Sequence, residues 1–280
     1  MRFIFILFIF FSSLMAFDNS KKVTLQLQWK NQFQFAGYYV ALEKGFYKDL
    51  GLDVKIKSYK KGLNITNEVL QGKSNFGIGR STLLIDKSNN KDIILLNAIF
   101  QTSPLVLFSL KDNNINTITD FMDQKIMINK NQTVTIAIKG MLNSKNITFD
   151  DMQLYKRTYN IEDLISKKID LMPGYLSDIG YKLENKKINY KIFDPKDYGF
   201  DFYEDILFTS TQYAKDNPQI VKNFQKATLK GWEYAFSNMD ETTELILKKY
   251  NTQNKTKSAY LYEVNILKKE HIIKTNLLVI

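Results

Sequence analysis

The sequence predicts an α/β protein of two lobes joined by a hinge that the chain crosses twice. Three observations lead there. Apolar runs of strand character alternate with segments of helical periodicity along almost the whole chain. A second such set, from about residue 125 to 193, interrupts the first and is followed by one more apolar strand, 205–210, returning towards it. No fixed-period repeat, heptad pattern or low-complexity linker divides the chain in another way.

Each element has a local reason. Val23, Leu25 and Leu27 alternate with Thr24, Gln26 and Gln28, giving a first strand that ends near Gln28. Phe35, Tyr38, Tyr39 and Leu42 recur at helical spacing, and Gly45 supplies the stop. Residues 54–57 read as the second strand, 64–70 as a helix closed by Gly72, and 75–78 as a short strand before Gly79 and a helix opening at Ser81. The continuous apolar run 93–100 fits a strand buried on both faces, and 104–110 another. In the interrupting set, strands are expected at 125–129, 152–156, 169–172 and 188–193. Helices are expected at 134–142, weakened by Gly140, at 161–166, capped by Asn160, and at 175–183. Asn217 and Pro218 then open a long helix that turns Ile220, Val221, Phe224, Ala227, Trp232 and Phe236 inward.

These elements assign residues 17–108 and 206–280 to the first lobe and 109–205 to the second, with joining segments near 107–110 and 205–210. Residues 1–16 read as a secretory signal: Arg2, an uncharged apolar run from Phe3 to Phe11, then Ser12, Ser13 and Ala16. An uncleaved N-terminal anchor is the alternative. No other segment approaches membrane length, so the mature part is expected in the periplasm, free or tethered.

Composition narrows the chemistry. The net charge is +10, from 39 Lys and Arg against 29 Asp and Glu, but arginine occurs only at Arg2, Arg80 and Arg157 and the lysines are dispersed. That pattern suits a solvated surface rather than a nucleic-acid face. There is no cysteine, and His271 is the only histidine, which leaves no thiol nucleophile and no histidine-rich metal site. Gly77 and Gly79 lack the third glycine and the lysine of a nucleotide loop. No catalytic set and no metal site is expected.

Ligands of two-lobed α/β proteins sit where strands end and helices begin. The expected cleft walls are therefore 28–39, 79–81, 101–103, 129–133, 174–178 and 198–205. Trp29, Phe35, Tyr38 and Tyr39 crowd the first of these walls: Trp29 falls in the strand-to-helix turn that can face the cleft, and the 3–4 spacing from Phe35 commits some of the other aromatics to core. Arg80 suits an anionic group or an aromatic plane, with a salt bridge to the other lobe as the alternative, and Ser81 lies beside it. Tyr175 and Asp178 stand at a helix start. Asp197, Asp201, Glu204 and Asp205 surround Tyr198, Phe200, Phe202 and Tyr203, a combination that suits a flat ligand with amino or ring-nitrogen donors or, alternatively, a solvated loop.

The segments QWKNQFQFAGYYVALEKGFYKDLGLDV, SNFGIGRSTLLI, IFQTSPLVLFSL, KIDLMPGYLSD and DPKDYGFDFYEDILFTS resemble the THI5/NMT1-like, SsuA-related group of periplasmic substrate-binding proteins. Within it they look closest to a bacterial branch often fused ahead of sensor or output domains. The resemblance runs from about Val23 to His271. It implies a type II periplasmic binding fold closing on a small flat ligand such as a thiamine-pyrimidine precursor, without cofactor. An ABC permease or a membrane sensor would be the partner. Carried over by position, it implies Trp29 and residues 35–39 as the stacking wall. Arg80 and Ser81 would lie on the facing loop, and Gln101, Ser103, Tyr175, Asp178, Asp201, Tyr203, Glu204 and Asp205 would complete the cleft.

The eukaryotic branch of this group is a thiamine pyrimidine synthase that consumes pyridoxal phosphate on a lysine, with a histidine four residues later, iron and a cysteine-rich motif. Here the lysine and histidine positions fall on Gly79 and Leu83, and no cysteine lies near 201–205. The resemblance therefore implies binding, with a synthase-type enzyme as the alternative. A further alternative is a shortened sensory domain, because related chains continue past the last helix where this one ends HIIKTNLLVI.

Overall fold

The computed structural model describes residues 20–128 and 136–271. Along the chain run β1 (Lys21–Gln26), β2 (Leu52–Lys57), β3 (Phe76–Gly79), β4 (Ile93–Phe100), β5 (Leu105–Leu110), β6 (Lys125–Met127), β7 (Gln153–Tyr155), β8 (Met172–Tyr175), β9 (Tyr190–Phe193) and β10 (Glu204–Ser210). The first lobe is built on a sheet of order β2-β1-β3-β10-β4. Its β1 is parallel to β2 and β3, and β10 is antiparallel to β3 and β4. The second lobe holds the antiparallel sheet β8-β5-β9 and the parallel pair β6-β7. A bridge between Ile126 and Leu171 ties the pair to the strand entering β8. The proposed signal and the expected cleft wall 129–133 lie outside the described residues.

The long helix Pro218–Ser237 closes the first lobe over helix Ala36–Glu43. The two helices approach at their glycines: a Cβ on Gly231 would lie 2.1 Å from the Gly37 carbonyl oxygen, and one on Gly37 would lie 2.2 Å from the Trp232 ring. Phe224 stacks on Phe76 at 4.1 Å and on Tyr47 at 4.9 Å. In the second lobe, Phe121 meets Phe193 edge-on at 4.8 Å.

Two sequence expectations shift for physical reasons. The strand expected at 169–172 is paired instead at Met172–Tyr175. Pro173 is tolerated there because β8 is an edge strand bonded only to β5. Gly140 does not merely weaken its helix: a Cβ there would sit 2.3 Å from Phe200, so the glycine admits that ring against the helix. β5 pairs within the second sheet and β10 within the first, so residues 101–104 and 200–203 run between the two sheets. Among the described residues, no helix is long and apolar enough to cross a membrane.

Candidate ligand-binding cleft

The strand ends of both lobes converge on one cleft of about 520 Å3, a size usual for small-molecule sites. At the end of β1, Leu27 N–H donates to the Lys57 carbonyl (3.1 Å) and Gln26 Nε2 to the Ser58 carbonyl (3.0 Å). These bonds hold the turn after β1 against the turn after β2. Trp29 and Tyr59 consequently meet with ring centres 5.1 Å apart at 46°. From the second lobe, the turn after β7 is fixed by Thr158 Oγ1 donating to Asp163 (2.6 Å) and accepting from Asn160 N–H (3.2 Å). It presents Tyr159 to Trp29, again at 5.1 Å. The Arg157 guanidinium lies 4.6 Å from the Tyr159 ring centre. A row of aromatic faces thus crosses from one lobe to the other.

The floor is polar. Arg80, directly after β3, donates from Nε to Gln28 Oε1 (3.2 Å), and its guanidinium lies 5.5 Å from the Tyr175 ring centre. Beneath it lie Glu204 and Asp205 at the start of β10, both buried. Ser81 Oγ donates to Glu204 Oε1 at 3.2 Å. Asp205 Oδ1 accepts from Gln34 Nε2 at 2.8 Å and also from Gln28 Nε2. Asp205 takes φ +50°, a left-handed conformation that an aspartate tolerates better than most residues. Burial pushes the Glu204 carboxyl up to about 7, against the opposing pull of Arg80 and the Ser81 hydroxyl. Burial raises Asp205 as well, against its bond from Gln34 and the charge of Arg80. The Tyr175 hydroxyl, Glu204 Oε2 and Asp205 Oδ2 are buried without a hydrogen-bond partner among the described residues.

A second polar cluster joins the lobes beside the cleft. Lys255 contacts Asp178 of the second lobe and Glu263 of helix Lys257–Ile266, each at 3.1 Å. Burial alone would lower the Lys255 pKa, but Glu263 and Asp178 outweigh it and raise it. Glu263 Oε1 accepts the Gln34 N–H at 2.9 Å, which links this cluster to the turn before the first helix.

Of the residues expected from sequence, Trp29, Arg80, Tyr175 and Asp178 line the cleft. Ser81, Glu204 and Asp205 lie under its floor. Ser103 and Asp201 knit the two hinge crossings together: Asp201 accepts from Ser103 N–H (3.0 Å) and from Thr102 Oγ1 (2.7 Å). Gln101 stands half-buried in the same crossing, and Tyr203 is 42% exposed in the other. Phe35, Tyr38 and Tyr39 are placed differently: all are buried in the first-lobe core. Their helix is covered on both sides, so Tyr38 packs edge-on against Trp232 at 6.0 Å and Tyr39 stacks on Tyr250 at 3.9 Å. The stacking wall therefore loses those rings. It gains Tyr59, Arg157 and Tyr159, which sequence reading missed although each follows a strand end, the same signal that located Trp29 and Arg80.

Fold and cleft together define a two-lobed α/β protein of the type II periplasmic-binding-protein fold. The chain belongs to the NMT1/THI5-like family, whose profile matches residues 32–242. It is similar to the riboflavin-binding protein RibY of Chloroflexus aurantiacus, at 22% identity over 81% of this chain and 66% of that protein. It is likewise similar to the formylaminopyrimidine-binding protein of Halalkalibacterium halodurans, at 22% identity over 83% of this chain and 72% of that one. The chain thus spans about two thirds of the length of the first of these relatives. Among solved structures it resembles the periplasmic aliphatic sulphonate binding protein SsuA of Escherichia coli, with TM-score 0.70 at 12% identity over 87% of this chain and 78% of that one. That last likeness bears on the fold.

Proposed function

We propose that this protein is an extracytoplasmic receptor for a small flat nitrogen heterocycle, of the thiamine-pyrimidine kind, captured by closure of the two lobes. The observation that carries the reading is the aromatic row in which Tyr59 and Trp29 of one lobe meet Tyr159 of the other. A flat ring entering this row exchanges water for aromatic faces on both lobes at once. Ligand contact then favours the closed arrangement, because only there do both faces reach it. The amides of Gln28, Gln32 and Gln34 line the cleft and offer remaining donor and acceptor capacity to ring nitrogens and amino groups. Two relatives named for riboflavin and for a formylaminopyrimidine, both flat nitrogen heterocycles, support the same class. The loaded receptor would hand its ligand to an ABC permease or report it to a membrane sensor.

Native mass spectrometry of the purified protein, followed by thermal shift with hydroxymethyl-aminopyrimidine, formylaminopyrimidine and riboflavin, tests the proposal. A bound heterocycle, or a saturable shift with one of the three that Trp29→Ala removes, is the expected result. Failure of every flat heterocycle to bind would reject it.

A further inference from the structure

We infer that the ligand carries an oxyanion, a carboxylate, phosphate or sulfonate, seated on the Arg80 guanidinium. This rests on the proposed flat-ligand receptor and specifies what hangs from the ring.

The charges of the cleft lead to this. Its carboxylates are already answered by lysines. Asp86 takes the Lys91 ammonium at 2.7 Å and the Thr66 hydroxyl at 2.6 Å. Asp178 takes Lys182 at 2.7 Å and Lys255 at 3.1 Å. Arg80 is held differently. Nε is anchored by Gln28 Oε1, and the guanidinium stands by the face of Tyr175. Among the described residues no carboxylate lies within ion-pair distance of it, and its two terminal amino groups make no hydrogen bond. The fork is fixed in position with its outer edge uncommitted, which is the arrangement that receives two oxygens of one oxyanion.

Two further observations agree. Arg157 brings a second guanidinium to the cleft from the other lobe. Burial lowers its pKa, Tyr159 opposes this, and Arg80 lowers it further, so the two cations repel in the closed arrangement. An anion between the lobes relieves that repulsion and favours closure. The carboxyls that could neutralise Arg80 from behind, Glu204 and Asp205, are buried and biased towards their neutral forms. The Tyr175 hydroxyl is a buried donor without a partner among the described residues, on the ring beside Arg80.

The test compares ring pairs that differ only in the anionic group: hydroxymethyl-aminopyrimidine against its phosphate monoester, riboflavin against its phosphate monoester, and uracil against orotate. Taurine serves as a sulfonate without a ring. Isothermal titration of the full chain should show the anionic member of at least one pair binding about ten-fold tighter or more. That preference should weaken with added salt. Arg80→Gln should abolish the preference, and Arg80→Lys should retain only part of it. The pair that responds tells phosphate from carboxylate, and taurine reports sulfonate. Equal binding within every pair, or tighter binding of the neutral members, overturns the inference and leaves the flat-ligand reading intact. If no ring binds but taurine does in an Arg80-dependent way, the flat-ligand reading fails and the oxyanion site stands. If nothing binds, both fail. The salt dependence and pair preference are read on the unaltered chain, so the outcome does not depend on either variant folding.

Discussion

Trp29 of the first lobe and Tyr159 of the second meet across the cleft with ring centres 5.1 Å apart and planes inclined by 55°. Neither ring is sealed in a core: Trp29 is partly buried and Tyr159 is 42% exposed. The contact spans the two lobes, so it reports their closure as well as forming part of the proposed ligand wall.

Removing either ring should therefore weaken ligand capture more than it weakens the fold. Trp29→Ala and Tyr159→Ala are each expected to lower affinity by roughly ten-fold or more. The cooperativity of ligand-free unfolding should be unchanged. Titration calorimetry and a denaturant series on the same preparations check both halves of the statement. Unchanged affinity in both variants would return these rings to a structural role.

The lobe-bridging lysine makes a stability prediction. The Lys255 side chain is 10% exposed and that of its partner Glu263 is 1% exposed. Lys255→Met leaves Glu263 buried without its cation, at a cost on the order of 3–5 kcal/mol. Adding Glu263→Gln should recover part of the loss, since a neutral amide in place of the carboxylate needs no cation. Urea unfolding of the single and double variants measures this. An additive double variant would show that the contact is not coupled.

Glu204 sets a pH dependence with a definite sign. Its folded pKa of about 7 lies above the ordinary 4.5, so the folded state holds the proton more tightly than the unfolded chain. Stability from this group falls as pH rises from about 4.5 to about 7 and is flat above that, a change of roughly 3 kcal/mol. Asp205 and Glu263 are also raised by burial and act in the same direction. Asp178 is lowered, with Lys255 and Lys182 outweighing its burial, and acts in the opposite direction at acid pH. Urea midpoints between about pH 5 and about pH 8 should drop less in Glu204→Gln than in the unaltered chain. The groups facing Glu204 are Arg80, Ser81 and Asp205, with Tyr175 and Arg157 beyond Arg80. Ionisation there adds negative charge behind Arg80, so affinity for an anionic ligand should also decline above about pH 7.

The close approach of the first helix and the long C-terminal helix gives a packing prediction. A Cβ at position 231 would fall 2.1 Å from the backbone oxygen of Gly37, an atom that no rotamer change can move away. Gly231→Ala should cost roughly 1–3 kcal/mol or more through overpacking, read as a lowered melting temperature. A variant as stable as the parent would mean that the helices separate freely.

Much of the architecture could be read from periodicity, because strand and helix repeats follow from which faces meet apolar neighbours. The run 93–100 coincides with β4, and Asn217 and Pro218 stand where the long helix opens. The elements misjudged are those whose limits depend on partners. β8 moved because its pairing with β5 runs over Met172–Tyr175. Trp29, Arg80, Tyr175 and Asp178 were placed in the cleft by the rule that ligands sit at strand ends. Tyr59, Arg157 and Tyr159 obey the same rule; β7 before the latter two is only three residues long, whereas β2 before Tyr59 is clearly alternating, and the sequence offers no measure of which strand ends converge.

The sequence by itself determined an α/β chain with a strand-end cleft, because alternation, caps and composition are local properties. Tertiary structure decided the direction of the side chains. In the segment Phe35–Tyr39 the aromatic spacing marks a helix but cannot say whether the exposed-looking face meets ligand or a second layer. Segments about two hundred residues away in the chain cover it from two sides: Trp232 of helix Pro218–Ser237 packs on Tyr38 and Tyr250 stacks on Tyr39, which with Phe35 are committed to the core. Conversely, the carboxylates of Glu204 and Asp205 looked like ligand acceptors in sequence. The hinge strand turns them under Arg80, where the amides of Gln28 and Gln34 meet Asp205 and the Ser81 hydroxyl meets Glu204, so the floor of the cleft presents a guanidinium instead.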